Sequence, residues 1–147
     1  MDKKGFTLTE LLAVIVILGI IMTIGIRSVY SINHAARKKL LATKIEEIET
    51  AAIKYGQEHT FTSDNCNSVT FKDSEGKTQT FDATFCIKDI TVQTLIDSKD
   101  FETKEKNNKV LNPVTNNPLN EEEVFIYKKN NRVYAILTNK YKILDET

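Results

Sequence analysis

One acidic side chain near the start of a long apolar run carries the strongest chemical implication in this chain. Residues 5–26 read GFTLTELLAVIVILGIIMTIGI, and Glu10 is the only charged side chain among them. A helix of residues 6–26 would rise about 31 Å, which matches the roughly 30 Å hydrocarbon core of a bilayer. Burying an ionised acid there costs on the order of a few kcal/mol, so the position predicts a functional role for Glu10. An acid at the headgroup boundary is the alternative, and position alone leaves both interpretations open.

The other reactive side chains do not form a pattern typical of a catalytic site. His34 and His59 are far apart in the sequence, and the adjacent Glu46 and Glu47 do not share a helix face. The sequence contains no glycine-rich phosphate loop, no metal-ligand spacing and no Ser, His and Asp grouping in a motif context. We therefore expect a protein that is not an enzyme and that has neither a cofactor nor a metal site.

The two cysteines, Cys66 and Cys86, form an even pair in a small domain. Their pairing in an oxidising compartment would close a loop and contribute roughly 3 kcal/mol to stability. Two unrelated buried thiols are the alternative. We predict a disulfide bond between them.

Charge is distributed unevenly along the chain. The 147 residues include 20 basic and 20 acidic side chains, and only four of these precede Arg27. The pattern predicts a membrane-compatible segment fused to a water-soluble domain. Because the net charge is zero, neither a nucleic-acid surface nor a polybasic lipid patch is expected, and no direct nucleic-acid site is evident.

The basic start and the apolar run also resemble a secretory signal peptide, which should end in a small-residue cleavage site. Residues 23–25, TIG, are a poor cleavage site, and the helical pattern continues through them. We therefore expect the apolar run to stay attached. The basic residues on its two sides, Lys3 and Lys4 before it and Arg27 and residues 37–39 after it, do not fix its orientation.

The apolar run leads into a longer helical pattern. Residues 27–55 contain neither Pro nor Gly, and five apolar residues recur at spacings of four, three, four and three, namely Leu41, Ile45, Ile48, Ala52 and Tyr55. This spacing places them on one face of a helix. We predict one helix over about residues 6–57, apolar all round in its first half, amphipathic in its second, and ended by Gly56.

After residue 61 the pattern changes to the alternation of β-strands. A first hairpin is predicted around a turn at residues 73–76, with alternating apolar residues at Val69, Phe71, Phe81, Ala83, Phe85 and Ile87. Residues 90–98 predict a short helix capped by Thr91, and residues 124–127 and 133–137 predict a second hairpin around Asn130 and Asn131. The expected fold is α+β, with the long helix packed on a small antiparallel sheet.

The N-terminal residues carry a resemblance to a known family. Residues 3–12, KKGFTLTELL, hold a short basic leader ending in Gly5, then Phe6, a hydroxyl residue, a leucine, any residue and Glu10. This segment resembles the processing site of type IV pilins and type II secretion pseudopilins. The helix-then-sheet layout extends the resemblance more loosely, and residues 90–96 followed by Asn112 and Pro113 resemble a layout of Gram-positive pilins.

The resemblance implies a processing and assembly pathway. A membrane prepilin peptidase would cut between Gly5 and Phe6, and the new amino group of Phe6 would be methylated. Glu10 would pair with the Phe6 ammonium of a neighbouring subunit, or with its own Phe6 before assembly. Three small residues in the helix would let neighbouring helices approach closely, namely Ala13, Gly19 and Gly25.

Two features depart from the family pattern. Many members carry a proline partway along the apolar helix, whereas Arg27 stands near that place here, so local melting of the helix on assembly is less expected. Cysteine pairs in pilins often enclose a receptor-binding loop near the C-terminus, whereas Cys66 and Cys86 lie early in the domain. We therefore interpret this pair as a structural link and not as an adhesion site.

The sequence predicts three parts: a leader at 1–5, a transmembrane and assembly helix at 6–26, and an extracytoplasmic head at 27–147 that includes the amphipathic helix to about 57. The expected function is that of a structural pilus or pseudopilus subunit, in a secretion, competence or adhesion system. Its partners would be copies of itself, other pilins, the prepilin peptidase, the platform protein, the assembly ATPase and the membrane. It would first cross the cytoplasmic membrane with its N-terminus in the cytoplasm, and later reach the cell surface. A membrane-anchored binding module that does not polymerise is the alternative.

Overall fold

The computed structural model describes residues 7–61, 66, 70–72, 77–80, 83, 85–87 and 89–145. The fold is α+β, as predicted. The chain divides into two compact units, Met1–Ala36 and Arg37–Thr147, and the first helix contributes residues to both. The elements in chain order are α1 Leu8–Glu58, β1 Thr70–Lys72, β2 Thr78–Thr80, β3 Phe85–Ile87, α2 Val92–Asp97, a 3-10 turn Lys106–Asn108, β4 Val124–Lys129, β5 Arg132–Leu137 and α3 Lys140–Asp145.

The amphipathic half of α1 forms one wall of the core in the second unit. All five residues of the predicted stripe, from Leu41 to Tyr55, are buried, and four of them are completely inaccessible to solvent. Burying each large aliphatic side chain contributes about 1.5–3 kcal/mol. The prediction of a helix with one buried face over this region is therefore confirmed. The sheet covers this apolar face.

The opposite wall is an antiparallel sheet with strand order β3-β4-β5. Val124 and Ile126 of the central strand β4 pack in the same core as the α1 stripe, whereas Phe125 between them packs with Cys66 and Cys86. Because successive side chains of a strand point to opposite faces, β4 is covered on both sides. This accounts for its run of three buried residues.

The β4–β5 hairpin follows its sequence prediction. Asn130 and Asn131 connect the two strands with φ values of 50° and 61°. Positive φ at both central residues is the requirement of a two-residue type I′ turn, and asparagine tolerates it. The predicted hairpin is confirmed.

The first predicted hairpin was wrong in its second strand. β1 pairs with β2, with Thr70 opposite Thr80, whereas β3 pairs with β4, with Cys86 opposite Tyr127. The partner strand of β1 is therefore formed by residues 78–80 and not by residues 81–87. β3 pairs with the larger sheet because more of its surface is buried there, and Cys86 is fully buried. Phe85 was expected to lie inward but is 44% exposed. Val69, residues 73–76 and Phe81 lie outside the described residues.

Helix α2 begins at the predicted cap. The Thr91 hydroxyl accepts a hydrogen bond from the Thr94 backbone N–H at 3.3 Å, and the Thr94 hydroxyl accepts one from the Thr91 N–H at 3.3 Å. This reciprocal capping box satisfies two backbone donors at the start of the helix. The buried residues Val92, Leu95 and Ile96 then anchor α2 in the core.

Among the described residues, three ion pairs attach later segments of the chain to α1. Lys54 lies 3.1 Å from Asp100, Lys140 lies 2.8 Å from Glu49, and Lys44 pairs with Glu105. A hydrogen bond from Ser98, and then the Lys54 ammonium, hold the pKa of the Asp100 carboxyl below its ordinary value, against the opposing effect of burial. The Glu49 contact helps to position α3, an element that the sequence did not predict.

Gly56 has a different role from the predicted one. We expected it to end α1, but the helix continues to Glu58. A Cβ atom at Gly56 would lie 2.7 Å from Cγ2 of Ile126 and 2.9 Å from Cγ1 of Val133. Glycine is therefore needed because the helix approaches the sheet closely at this point.

We expect Gly56→Ala to lower the free energy of unfolding by about 1–2 kcal/mol. Overpacking usually costs about 1–3 kcal/mol, and two contacts below 3 Å place this site in the upper part of that range, at about 2–3 kcal/mol, whereas the gain in helix propensity returns about 1 kcal/mol. The two blocking side chains are β-branched and cannot easily rotate away. Thermal and urea unfolding of the full chain in detergent would measure the change. Gln57→Ala, at the exposed neighbouring position, is the control. A Gly56→Ala protein as stable as the wild type would contradict this interpretation of the contact.

Candidate functional site

The first part of α1 exposes large apolar side chains on all sides. Their exposed fractions run from 47% at Val14 to 82% at Leu8. They are Leu8, Leu11, Leu12, Val14, Ile15, Val16, Ile17, Leu18, Ile20, Ile21 and Met22. A helix that is apolar all round is normally buried, whereas the described residues leave this segment exposed.

In the part of the chain that the structure describes, no helix combines the length and the apolar character that a membrane crossing requires.

Glu10 lies in the first turn of α1 and folds back towards the helix start. Its Oε2 atom accepts a hydrogen bond from the Thr7 backbone N–H at 2.8 Å and another from the Thr7 hydroxyl at 2.9 Å. The Thr7 hydroxyl in turn lies 3.4 Å from the Glu10 backbone N–H, and the Thr7 carbonyl accepts from Leu11 N–H at 3.2 Å. Thr7 and Glu10 thus form a capping box at the start of the helix.

This capping box was not predicted, although its signal is present in the sequence, since a threonine followed three residues later by a glutamate is a standard start of a helix. The acid therefore has a local partner in addition to any partner in a neighbouring chain. Its negative charge also lies at the positive end of the helix dipole, where it is stabilising.

The predicted cleavage and methylation residues, Gly5 and Phe6, lie outside the described residues. Phe6 directly precedes Thr7, so their Cα atoms are separated by a single peptide unit of about 3.8 Å. An amino group created at Phe6 would therefore begin one residue away from the N–H group that the Glu10 carboxylate already binds.

Two further residues of the exposed segment are suited to close contact with another helix. A Cβ atom at Gly19 would meet nothing within 4 Å, so no packing among the residues that the structure describes requires a glycine there. The Thr23 hydroxyl donates to the Ile20 carbonyl at 2.7 Å, which satisfies this polar group within the helix. The segment therefore presents an apolar surface with a small residue in its middle.

The two cysteines are joined in the structure. Their sulfur atoms are 2.12 Å apart and their Cα atoms 5.6 Å apart. Both side chains are buried against Ala83 and Phe125, away from the core under α1. The bond links the segment after α1 to the edge strand β3, so it connects two parts of the fold.

The histidines are not brought together. His34 is exposed on α1, and His59, just past the end of that helix, stacks on the Tyr55 ring at a centroid distance of 3.7 Å. Among the described residues, no group of three or more His, Cys, Asp or Glu side chains could hold a metal ion. The start of α1 is therefore the strongest candidate site.

The comparison with protein families identifies the same segment. Residues 1–26 match the family model of the prokaryotic N-terminal methylation motif, the class III signal peptide of type IV pilins and pseudopilins. No curated protein and no solved structure matches the chain. The motif points to a structural protein and not to an enzyme, and it implies processing by a prepilin peptidase and assembly with pilus machinery.

Proposed function

We propose that this chain is a prepilin, cut between Gly5 and Phe6 and polymerised through residues 6–26 into a type IV pilus or pseudopilus. The observation that carries the proposal is the Glu10 carboxylate, held at the start of an exposed apolar helix within the methylation motif. A carboxylate and an N-terminal ammonium are each costly in an apolar environment. Pairing between subunits makes the two charges complementary and favours assembly.

The exposed apolar segment would have two successive environments. As a single-pass precursor it would lie in the cytoplasmic membrane with the leader, residues 1–5, in the cytoplasm. In the fibre it would pack against the same segment of neighbouring subunits. Gly19, which has open space around it, supports a close helix approach in that packing.

Residues 27–147 would form the extracytoplasmic head, and most of them belong to the compact unit Arg37–Thr147. It has its own core between α1 and the sheet, so it does not depend on the exposed segment for its packing. The Cys66–Cys86 bond favours a location outside the reducing cytoplasm. Other pilins, the platform protein and the assembly ATPase would be its partners during fibre growth.

A membrane-anchored binding module that does not polymerise is the second candidate. It would use the apolar helix as a tether only, so neither cleavage at Gly5 nor a charge on Glu10 would be needed. The methylation motif favours the pilin, since a simple tether has no use for a processed N-terminus.

Intact-mass analysis of the chain purified from cells that express a prepilin peptidase tests the proposal. We expect a chain that lacks residues 1–5 and carries one added methyl group on Phe6. A Gly5→Val variant is the control and should retain Met1, because a branched side chain replaces the small residue that ends the leader. A wild-type chain that still begins at Met1 in these cells would contradict the proposal.

A further inference from the structure

A basic cavity lies where α1 ends beside the β4–β5 hairpin. It has a volume of about 710 Å³ and is lined by His59, Phe61, Phe85, Lys128 and Lys129, together with the asparagines of the turn. None of the lining residues that the structure describes is acidic. The volume lies in the range of ordinary binding pockets, and the composition fits an acidic occupant with some apolar contact. We call this site the basic cavity.

Two of the side chains that line the basic cavity, His59 and Lys128, are positioned by contacts of their own. His59 Nδ1 lies 2.8 Å from the Tyr55 carbonyl oxygen, and its ring stacks on Tyr55. Lys128 Nζ lies 5.9 Å from the centroid of the Phe61 ring, within cation–π distance. Lys129 is exposed and forms no salt bridge with a described residue. A carboxylate entering the cavity would therefore meet lysine ammonium groups as charge-assisted donors.

A surface of opposite charge lies on α1 itself. Glu46 and Glu47 of α1, with Glu102 from the loop after α2, line a groove of about 670 Å³. The groove is also lined by Asp100 and by two basic residues, Lys54 and Lys104, so its acidic side chains outnumber its basic ones. The three glutamates are exposed and form no salt bridge with any described residue, whereas the nearby Lys54 is already paired with Asp100. We call this surface the acidic groove.

The acidic groove and the basic cavity lie at different positions along α1 in the same unit. The helix rises about 18 Å between Glu46 and its end at Glu58, next to which the basic cavity begins. Two complementary patches at different places on one chain define a head-to-tail contact, and such a contact propagates into an open helical filament when it does not close into a ring.

From this arrangement we infer that the acidic groove of one subunit docks on the basic cavity of the next subunit in the fibre. The inference rests on the proposed polymerisation and adds a second, charge-based contact between the heads. This contact guides the approach of one subunit to the next and fixes their register. It contributes less to the binding affinity. The zero net charge of the whole chain favours a second copy of this chain over a nucleic acid as the occupant.

Charge reversal with rescue tests the docking in cells that assemble fibres from the full chain. One variant carries Lys128→Glu with Lys129→Glu, a second carries Glu46→Lys with Glu47→Lys, and a third combines all four changes. The yield of sheared fibre is measured relative to processed subunit in the membrane. We expect each double variant to lose about tenfold in yield and the combined variant to recover to within about threefold of the wild type.

A matched control is Lys38→Glu with Lys39→Glu, which makes the same change in net charge on exposed residues outside both surfaces. It should assemble like the wild type. The milder Lys128→Gln with Lys129→Gln should show a smaller loss, and its unfolding midpoint should match that of the wild type. Recovery in the combined variant would itself show that the reversed side chains do not prevent folding.

Three results would overturn the inference. Both double variants could assemble like the wild type, or the combined variant could assemble no better than either double. Alternatively, inorganic phosphate or a single-stranded oligonucleotide could bind the purified full chain through Lys128 and Lys129 while fibre yield is unaffected by their reversal, which would assign the basic cavity to a ligand. Failure of the proposed function is distinguishable, because wild-type cells would then make no fibre at all.

Discussion

Glu10→Ala is expected to leave cleavage after Gly5 largely intact and to lower fibre yield by at least about a hundredfold. Removing one partner of a charge pair in an apolar environment costs about 3–5 kcal/mol, and each 1.4 kcal/mol is about a factor of ten. The Phe6 ammonium of the neighbouring subunit would be left without its counter-charge. Sheared fibre, measured against processed subunit retained in the membrane, gives the readout.

The capping contacts of Glu10 make a second variant necessary. Because the Glu10 side chain accepts hydrogen bonds from Thr7, the alanine variant removes a helix cap as well as a charge. Glu10→Gln keeps an acceptor that can cap the helix but carries no charge. We expect Glu10→Gln to lose fibres almost as completely as Glu10→Ala.

A hydroxyl variant completes this series. Thr7→Ala keeps the charge of Glu10 and the backbone N–H that binds it, and it removes only the hydroxyl contacts. We expect it to assemble close to the wild-type level. Normal fibre yield from Glu10→Gln, together with loss in Glu10→Ala, would show that the cap is what assembly needs and would contradict the charge pairing.

Removing the disulfide with Cys66→Ala and Cys86→Ala is expected to lower the free energy of unfolding by about 3 kcal/mol, because the unfolded chain regains the entropy of an open loop. The two residues are 20 positions apart in the sequence, and the bond closes the segment that contains β1 and β2. Alanine is preferred to serine because both sulfur atoms lie in an apolar cluster. Urea unfolding of the full chain in detergent would measure the change.

Reductant provides the matched control for the disulfide. Adding it to the wild type should reproduce the loss seen in the double alanine variant, whereas adding it to that variant should change nothing. An unfolding midpoint of the wild type that is the same with and without reductant would show that the bond does not carry this stability. A digest without reductant that releases separate Cys66 and Cys86 peptides would show that the bond is absent from the purified protein.

The features that could be predicted from sequence are those set by local periodicity or by the preference of single residues. The stripe from Leu41 to Tyr55 repeats at the period of a helix, and the Asn130 and Asn131 turn follows from their tolerance of positive φ. Thr91 was predictable as a cap for the same local reason. Each of these requires no knowledge of distant parts of the chain.

The features that escaped prediction depend on distant contacts. β3 has three residues, too few for a pattern that would distinguish one partner strand from another, and its pairing with β4 is decided by burial in the larger sheet. Gly56 was predicted to end the helix because glycine is common at helix ends. Its close neighbours in space, Ile126 and Val133, are far away in the sequence, so the need for a glycine there could not be predicted. The Thr7–Glu10 capping box is the exception, because its contacts are local and its spacing was present in the sequence although it was not predicted.

The capping box also gives the proposed pathway an order of events. In the uncut chain the Glu10 carboxylate already has a partner in Thr7, so the proposed precursor would not need a cation from a neighbouring subunit to stabilise this charge. On the proposed pathway, cleavage would then produce an ammonium at Phe6, one residue before Thr7, and would make the chain available for polymerisation. The peptidase would thus set the timing of fibre growth, and the precursor would act as a stored reserve that does not assemble before it is processed.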